Sequence, residues 1–228
     1  MMDKIQFSIF PYPMPVHIPD LILLEDEYIL VVNKPAGLMV EPDRNQNPSL
    51  LEAVKKYLSK KEDLPYAQHI HRLDRAVTGI VLFAKKREVF KNLSEQFAER
   101  KVKKFYKALT TKTHSQRNGL LEHWHRKEKK KAILYTKPIE FSEKAILEYH
   151  ITEINQTKFL WDIELHTGKY HQIRAQLAST GCPILGDSLY GSEEFYKPDA
   201  IALQAWRLVF RHPIHNGVLD IKLNSNLA

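Results

Sequence analysis

The chain has 228 residues, 43% hydrophobic and 27% charged, which suits a soluble globular protein with one large or two small domains. Its net charge of +7 and pI of about 9.3 make a polyanion a reasonable partner, although charge alone is a weak argument. The single cysteine, Cys182, excludes an internal disulfide framework and fits a reducing cytosol.

Residues 5–20 read as an extended lead-in punctuated by Pro11, Pro13, Pro15 and Pro19. These prolines leave no uninterrupted apolar stretch for a secretion signal, and no segment reaches the roughly 18 apolar residues of a membrane span, so a cytoplasmic protein is expected. Leu21 to Leu24 and Tyr28 to Asn33 are short β-type runs, followed by a turn at Lys34-Pro35-Ala36-Gly37. Ser49 suits the N-cap of a helix from Leu50 to Leu58, in which Leu51, Val54 and Leu58 recur at helical spacing. His69 to Ala84 reads as strand, turn and buried strand, with Thr78-Gly79 in the turn.

Phe90 to Arg100 is expected to be an amphipathic helix, and Phe105 to Thr110 a strand carrying Tyr106, Ala108 and Thr110 on one face. Residues 111–131 have the least pattern. Their histidines and the run Arg126 to Lys131 crowd into a polar segment, broken by Asn118-Gly119, that reads as a long surface arm with its own hairpin. Ile146 to Ile154 and Lys158 to Leu165 look like paired strands around Asn155-Gln156. Tyr170 to Ser179 fits a helix stopped near Gly181-Cys182-Pro183, and late strands fall near Ala200 to Phe210 and Val218 to Leu223. Scattered strands, few helices and hairpin-length gaps favour an α+β fold with a largely antiparallel sheet. No internal repeat or low-complexity segment is visible.

The most informative stretch is His71-Arg72-Leu73-Asp74-Arg75-Ala76-Val77-Thr78-Gly79, which sets one carboxylate between two guanidinium groups just before an apolar run. Flanking positive charge holds a carboxylate ionised, ready to act as nucleophile, base or cation stabiliser. A plain surface salt bridge with Arg72 or Arg75 would look the same locally. His69 with His71, and His123 with His125, form two His-x-His pairs, short of the three protein ligands usual for catalytic zinc. There is no Gly-x-Ser-x-Gly elbow and no glycine-rich phosphate loop. Lys129-Lys130-Lys131 is either a solvated charge run or a phosphate-contacting arm with Trp124 beside it for stacking.

A second block, Leu165 to Arg174, joins a turn at Thr167-Gly168-Lys169 to His171-Gln172-Ile173-Arg174; a polar loop follows at Pro183-Ile184-Leu185-Gly186-Asp187. Together with Val31-Val32-Asn33-Lys34-Pro35-Ala36-Gly37-Leu38 and Lys104-Phe105-Tyr106-Lys107-Ala108, these blocks in this order resemble the RluA-type family of RNA pseudouridine synthases. The match runs from about Leu21 to Pro213. The resemblance implies an α+β pseudouridine synthase fold, with a long mixed, mostly antiparallel sheet, flanking helices and a central active-site cleft. It divides the chain into a lead-in, 1–20, and a catalytic domain, 21–228, with a variable basic arm at 111–131. About twenty residues ahead of the match are too few for the N-terminal S4 module that many relatives carry.

The same resemblance implies Asp74 as the catalytic carboxylate, Tyr106 as the base-stacking tyrosine and Arg174 as the ion-pair partner of Asp74. The reaction it implies needs no redox step or group carrier, so no cofactor and no metal are expected. The expected partner is structured RNA, tRNA or ribosomal RNA, gripped by Arg72, Arg75, Lys104, Lys169, His171, Gln172, Lys129 and Lys130 around a flipped-out uridine. A monomer is expected. Lys169-Tyr170, Leu147 and Gln204 depart from the family pattern without touching the Asp74, Tyr106 and Arg174 trio. The competing readings are a catalytically silent RNA-binding protein and a metal-dependent nuclease using the histidine pairs.

Overall fold

The structure is a computed structural model that describes residues 16–43, 47–61, 63–224 and 227. A 3-10 turn at Ile18–Leu21 leads into strands β1 (Ile22–Glu25) and β2 (Ile29–Lys34), then helix α1 (Leu50–Leu58). Strands β3 (Gln68–His69) and β4 (Thr78–Ala84) precede helix α2 (Arg87–Ala98) and strand β5 (Lys103–Thr110). Then come β6 (Asn118–Glu128), β7 (Lys131–Tyr135), β8 (Glu143–Asn155) and β9 (Lys158–Leu165). Helix α3 (Gln172–Ser179), a 3-10 turn at Ser188–Tyr190, β10 (Leu203–Arg211) and β11 (Val218–Lys222) complete the described chain.

Eleven strands form one sheet in the order β1-β2-β4-β10-β5-β9-β8-β6-β7, with β11 on β10 and β3 on β4. Only β4 and β10 run parallel among the described pairs, where Thr78 and Gly79 face Gln204 and Ala205. This is the mixed, mostly antiparallel α+β sheet expected from the family blocks. Helices α1 and α3 cover one face; their Leu50, Val54, Ile173 and Leu177 join Tyr106, Trp161 and Leu203 in the larger core. Helix α2 covers the other face over β2 and β4, packing Val89 and Leu93 on Val31, Ile80 and Leu82. Strand β4 therefore lies between two apolar layers, which explains why it is an unbroken apolar run. Strand β9 has one buried face and alternates buried with half-buried residues along its length.

Helix α1 begins where expected because Ser49 and Glu52 form a reciprocal capping box: Glu52 N–H donates to Ser49 Oγ at 3.3 Å and Ser49 N–H to Glu52 Oε2 at 3.0 Å. Three expectations need correction. Residues 111–131 are not a projecting arm: Asn118-Gly119 opens β6, which pairs with β8 from Asn118 against His150 onward. The hairpin there is β6–β7, and it turns at Lys129-Lys130. Thr78-Gly79 is the start of β4 rather than a turn. Gly79 has φ +122°, and a Cβ there would stand 2.3 Å from the Ala205 carbonyl oxygen, so glycine is what lets β4 and β10 approach. Within the lead-in, Ile18–Leu21 is a 3-10 turn rather than extended chain, and residues 1–15 lie outside the described part.

Candidate active site

Asp74 stands in the loop between β3 and β4, its place fixed by its neighbours' backbone. Val77 N–H donates to the Asp74 carbonyl at 3.0 Å, and Gly37 N–H to the Arg75 carbonyl at 2.8 Å. Leu73 and Val77 on either side of the carboxylate are buried. Beneath the loop lies Lys34, fully buried, whose Nζ donates to the carbonyls of Leu38 (2.7 Å), Pro35 (2.9 Å) and Arg75 (3.2 Å). Burial pushes the Lys34 ammonium down to about 7, with nearby Asp74 opposing that shift. Thus the Lys34-Pro35-Ala36-Gly37 turn and the Asp74 loop are tied by one ammonium, where the sequence shows only two separate turns.

Helix α3 brings Arg174 to the carboxylate. Its Nη1 donates to Asp74 Oδ2 at 3.2 Å, while Nε and Nη2 grip Asp187 at 2.7 and 2.8 Å. The Asp187 side chain is 1% exposed, so this fork is a buried bidentate pair. Burial works against the guanidinium charge, but Asp187 and Asp74 outweigh it and hold Arg174 firmly protonated. The sequence places Asp187 in a polar loop and suggests no part for it. Gly186 lets the loop turn tightly just before Asp187: at φ +87° a Cβ there would meet that of Tyr196 at 2.8 Å.

Tyr106 projects from β5, opposite Ala205 of β10, into the same cavity as Asp74. That cavity, about 90 Å³, is walled by Leu73, Val77, Leu165, Ile173 and Leu203 around Asp74, Tyr106 and Arg174. A second of about 370 Å³ adjoins it, with Asp74, Arg72, His171 and Arg174 common to both. Burial, reinforced by Asp74, pushes the Tyr106 phenol well above its ordinary range, so it is neutral at physiological pH. The site thus offers an oriented carboxylate and an aromatic platform between apolar walls.

The residues expected around the RNA divide into groups. Arg72 lines both cavities and pairs with Glu41 at the surface. Arg75 reaches Asp199 at 3.1 Å and the Gly37 carbonyl at 3.0 Å. Lys169 lines the inner cavity and pairs with Glu143. Lys104, next to Gly168, is pushed down to about 8 by burial, with Arg100 adding to the effect. Lys129 and Lys130 are exposed at the tip of the β6–β7 hairpin, which rests on the site's rim where Tyr170 OH donates to the Lys130 carbonyl at 3.3 Å.

Gln172 is a correction. It is 3% exposed; Oε1 accepts from Thr167 Oγ1 (2.8 Å) and Lys169 N–H (3.0 Å), and Nε2 donates to the Ile146 carbonyl (3.1 Å) and Gln176 (2.9 Å). No group remains on it for RNA; it fastens the α3 N-terminus to β8. The helix begins at Gln172, two residues later than expected.

The histidine pairs serve separate structural contacts: His71 stacks on Phe97, and His125 Nε2 donates to the Tyr170 carbonyl at 2.7 Å. Among the described residues no three His, Cys, Asp or Glu side chains cluster to hold a metal ion, and no helix is long and apolar enough to cross a membrane.

Residues 28–179 match the family model described as RNA pseudouridylate synthase. The ribosomal large subunit pseudouridine synthase D of Nitrosomonas europaea is 33% identical over 217 residues, covering 88% of this chain; the chain spans 60% of that protein's length. The dual-specificity RNA pseudouridine synthase RluA of Salmonella typhi is 32% identical over 214 residues, covering 89% of this chain and 92% of its own. In fold, the human RNA pseudouridylate synthase domain containing 4 superposes with a TM-score of 0.74 over 91% of this chain and 89% of its own, at 21% identity. A family model spanning most of the chain, joined to this level of identity with an RluA protein over nearly its full length, shows that the chain belongs to the RluA-type RNA pseudouridine synthases.

Proposed function

We propose that this protein isomerises specific uridines in tRNA or ribosomal RNA to pseudouridine, with Asp74 as the reacting carboxylate. The observation that carries the reading is the asymmetry of Asp74. Oδ2 is held by Arg174, while Oδ1 takes no hydrogen bond among the described residues, and the group lines the cavity that also contains Tyr106. A target uridine flipped out of its stack would place C1′ against that oxygen.

In the isomerisation, the N1–C1′ bond breaks, the uracil turns, and C5 bonds to C1′ while C5 loses a proton and N1 gains one. Positive charge building at C1′ is stabilised or trapped by a carboxylate, as in glycosidases. The detached ring stays on the Tyr106 face as it turns, enclosed by Leu73, Val77 and Leu203. Because Tyr106 is held neutral, its hydroxyl suits donation to a uracil carbonyl, and Asp74 is the better acceptor for the C5 proton. Lys104, Lys169, Arg72, Arg75 and the hairpin lysines grip phosphates around the pocket. The protein works as a cytoplasmic monomer without a cofactor.

The test is chemical mapping of pseudouridine in cellular RNA from a strain lacking the gene, incubated with protein. Wild type is expected to form pseudouridine at defined positions and Asp74→Asn to form none. Product formed by Asp74→Asn would overturn the mechanism, and no product from wild type on any cellular RNA would favour a silent RNA binder.

A further inference from the structure

His171 fits poorly as an RNA contact: its side chain is 9% exposed and lies inside the site. It caps α3 with φ +51°, a left-handed conformation that surrounding contacts must enforce in a non-glycine residue. The ring stacks on Tyr170, with centroids 3.8 Å apart and planes 18° from parallel. Tyr170 is itself clamped by the hairpin at both ends, its carbonyl by His125 and its hydroxyl by the Lys130 carbonyl.

The two imidazole nitrogens meet different partners. Nδ1 lies 3.2 Å from the Tyr190 hydroxyl, and Nε2 lies 3.6 Å from Asp74 Oδ2, just beyond hydrogen-bond length. Tyr190 OH also receives the Ala132 N–H of β7 at 2.8 Å. With that donor in place, the hydroxyl's own hydrogen is available to Nδ1. An Nδ1–H tautomer would instead crowd a second donor onto the phenol oxygen and leave its hydrogen without an acceptor among the described residues. Burial pushes the imidazole down to about 4, with Asp74 opposing, so the ring is neutral and its tautomer matters.

We infer that His171 is a positioning residue: Tyr190, held by the hairpin backbone, fixes the imidazole as the Nε2–H tautomer and presents that N–H to Oδ2 of Asp74. This rests on Asp74 being the reacting carboxylate. Arg174 and His171 then converge on one oxygen, and Oδ1 is the oxygen left to react. The 3.6 Å gap closes when RNA fills the pocket, as catalytic hydrogen bonds commonly tighten only in the loaded complex. The chain Ala132–Tyr190–His171–Asp74 couples the placing of the β6–β7 hairpin to the aim of the carboxylate.

The first test needs no activity. Nitrogen-15 spectra of the imidazoles in the free protein should show His171 protonated at Nε2 with Nδ1 accepting a hydrogen bond, and Tyr190→Phe, which keeps the ring that Arg174 packs over at 5.2 Å, should remove the hydrogen-bond shift of Nδ1. A wild-type His171 protonated at Nδ1 overturns the inference whether or not the protein makes pseudouridine.

The second test is kinetic. His171→Leu should lower kcat by about 100-fold with little change in KM, the scale expected of a misaimed reacting group. His171→Gln, whose amide nitrogen falls near Nε2, should recover most of that loss. Tyr190→Phe should lower kcat in the His171 background and leave His171→Gln unchanged. Equal losses from Tyr190→Phe in both backgrounds, or losses that follow melting temperature alone, would assign His171 a purely structural part and sink the inference. If wild type forms no pseudouridine, the functional reading falls while the tautomer measurement still decides the placement of His171.

Discussion

Replacing Asp187 by alanine tests whether the site is built on Arg174. In the wild type, Nε and Nη2 of Arg174 are satisfied by Asp187 at 2.7 and 2.8 Å, and only Nη1 reaches Asp74, at 3.2 Å. Asp187→Ala leaves a buried guanidinium whose remaining carboxylate partner is Asp74, with a side chain 24% exposed. Breaking a buried pair from one side costs about 3–5 kcal/mol, because the other charge remains without its partner. For a chain of this size each kcal/mol lowers the melting temperature by about 2–4 °C, so a drop of about 6–20 °C is expected in calorimetry. Removing both charges should cost less than removing one: Asp187→Ala/Arg174→Met should melt above Asp187→Ala. An Asp187→Ala protein melting within about 2 °C of wild type, or a double mutant whose losses simply add, would refute the claim that this pair frames the site.

Gly79→Ala combines a φ of +122° with a 2.3 Å clash against the Ala205 carbonyl. It should lose at least the roughly 1–3 kcal/mol of backbone strain and yield little soluble protein; an unchanged melting temperature would show that β4 and β10 can part at no cost. Lys104, pushed down to about 8, carries its charge at pH 7 and loses it as pH rises through that value. RNA affinity measured by filter binding at fixed salt should therefore fall between pH 7 and 9 in wild type and stay flatter in Lys104→Arg; parallel curves would remove Lys104 from the interface. Lys129→Ala/Lys130→Ala at the hairpin tip should weaken RNA binding and make its log–log salt dependence shallower by about 0.7–0.9 for each phosphate no longer neutralised, whereas an unchanged slope would leave these lysines as solvated charge.

Where local rules and packing agree, the sequence is legible. Ser49 and Glu52 announce the capping box of α1, and alternation through Ile146 to Leu165 marks the β8–β9 pair. The 111–131 segment is not legible because β6 turns polar groups toward α3: Gln176 Nε2 reaches the Leu121 carbonyl at 3.0 Å and His123 Nδ1 at 3.1 Å. A strand whose inner face sets Leu121 beside His123 and His125 has little apolar alternation to read. Gly79 misleads for the opposite reason, since its glycine serves a close approach of strands and not a turn. Asp187 is hidden because its partner lies one helix away and nothing local connects them. Gln172 illustrates a further limit: a polar side chain at a helix start looks available until its hydrogen bonds are traced.

Asp74 also shows how chain proximity misjudges charge. Arg72 and Arg75 flank it in sequence, yet in the folded loop Arg72 turns to Glu41 and Arg75 to Asp199 and the Gly37 carbonyl. The cation that meets Asp74 comes from α3, a hundred residues on. Asp187 then decides what kind of pair this is. Had Arg174 presented its fork to Asp74, both carboxylate oxygens would be occupied by a strong bidentate pair, and neither could approach a sugar without breaking it. Because Asp187 takes the fork, Asp74 receives one N–H at 3.2 Å on one oxygen. That single contact aims the group and leaves Oδ1 without a hydrogen bond among the described residues. On the proposed role of Asp74, a buried ion pair one step away from the carboxylate thus fixes which of its oxygens is left available to react.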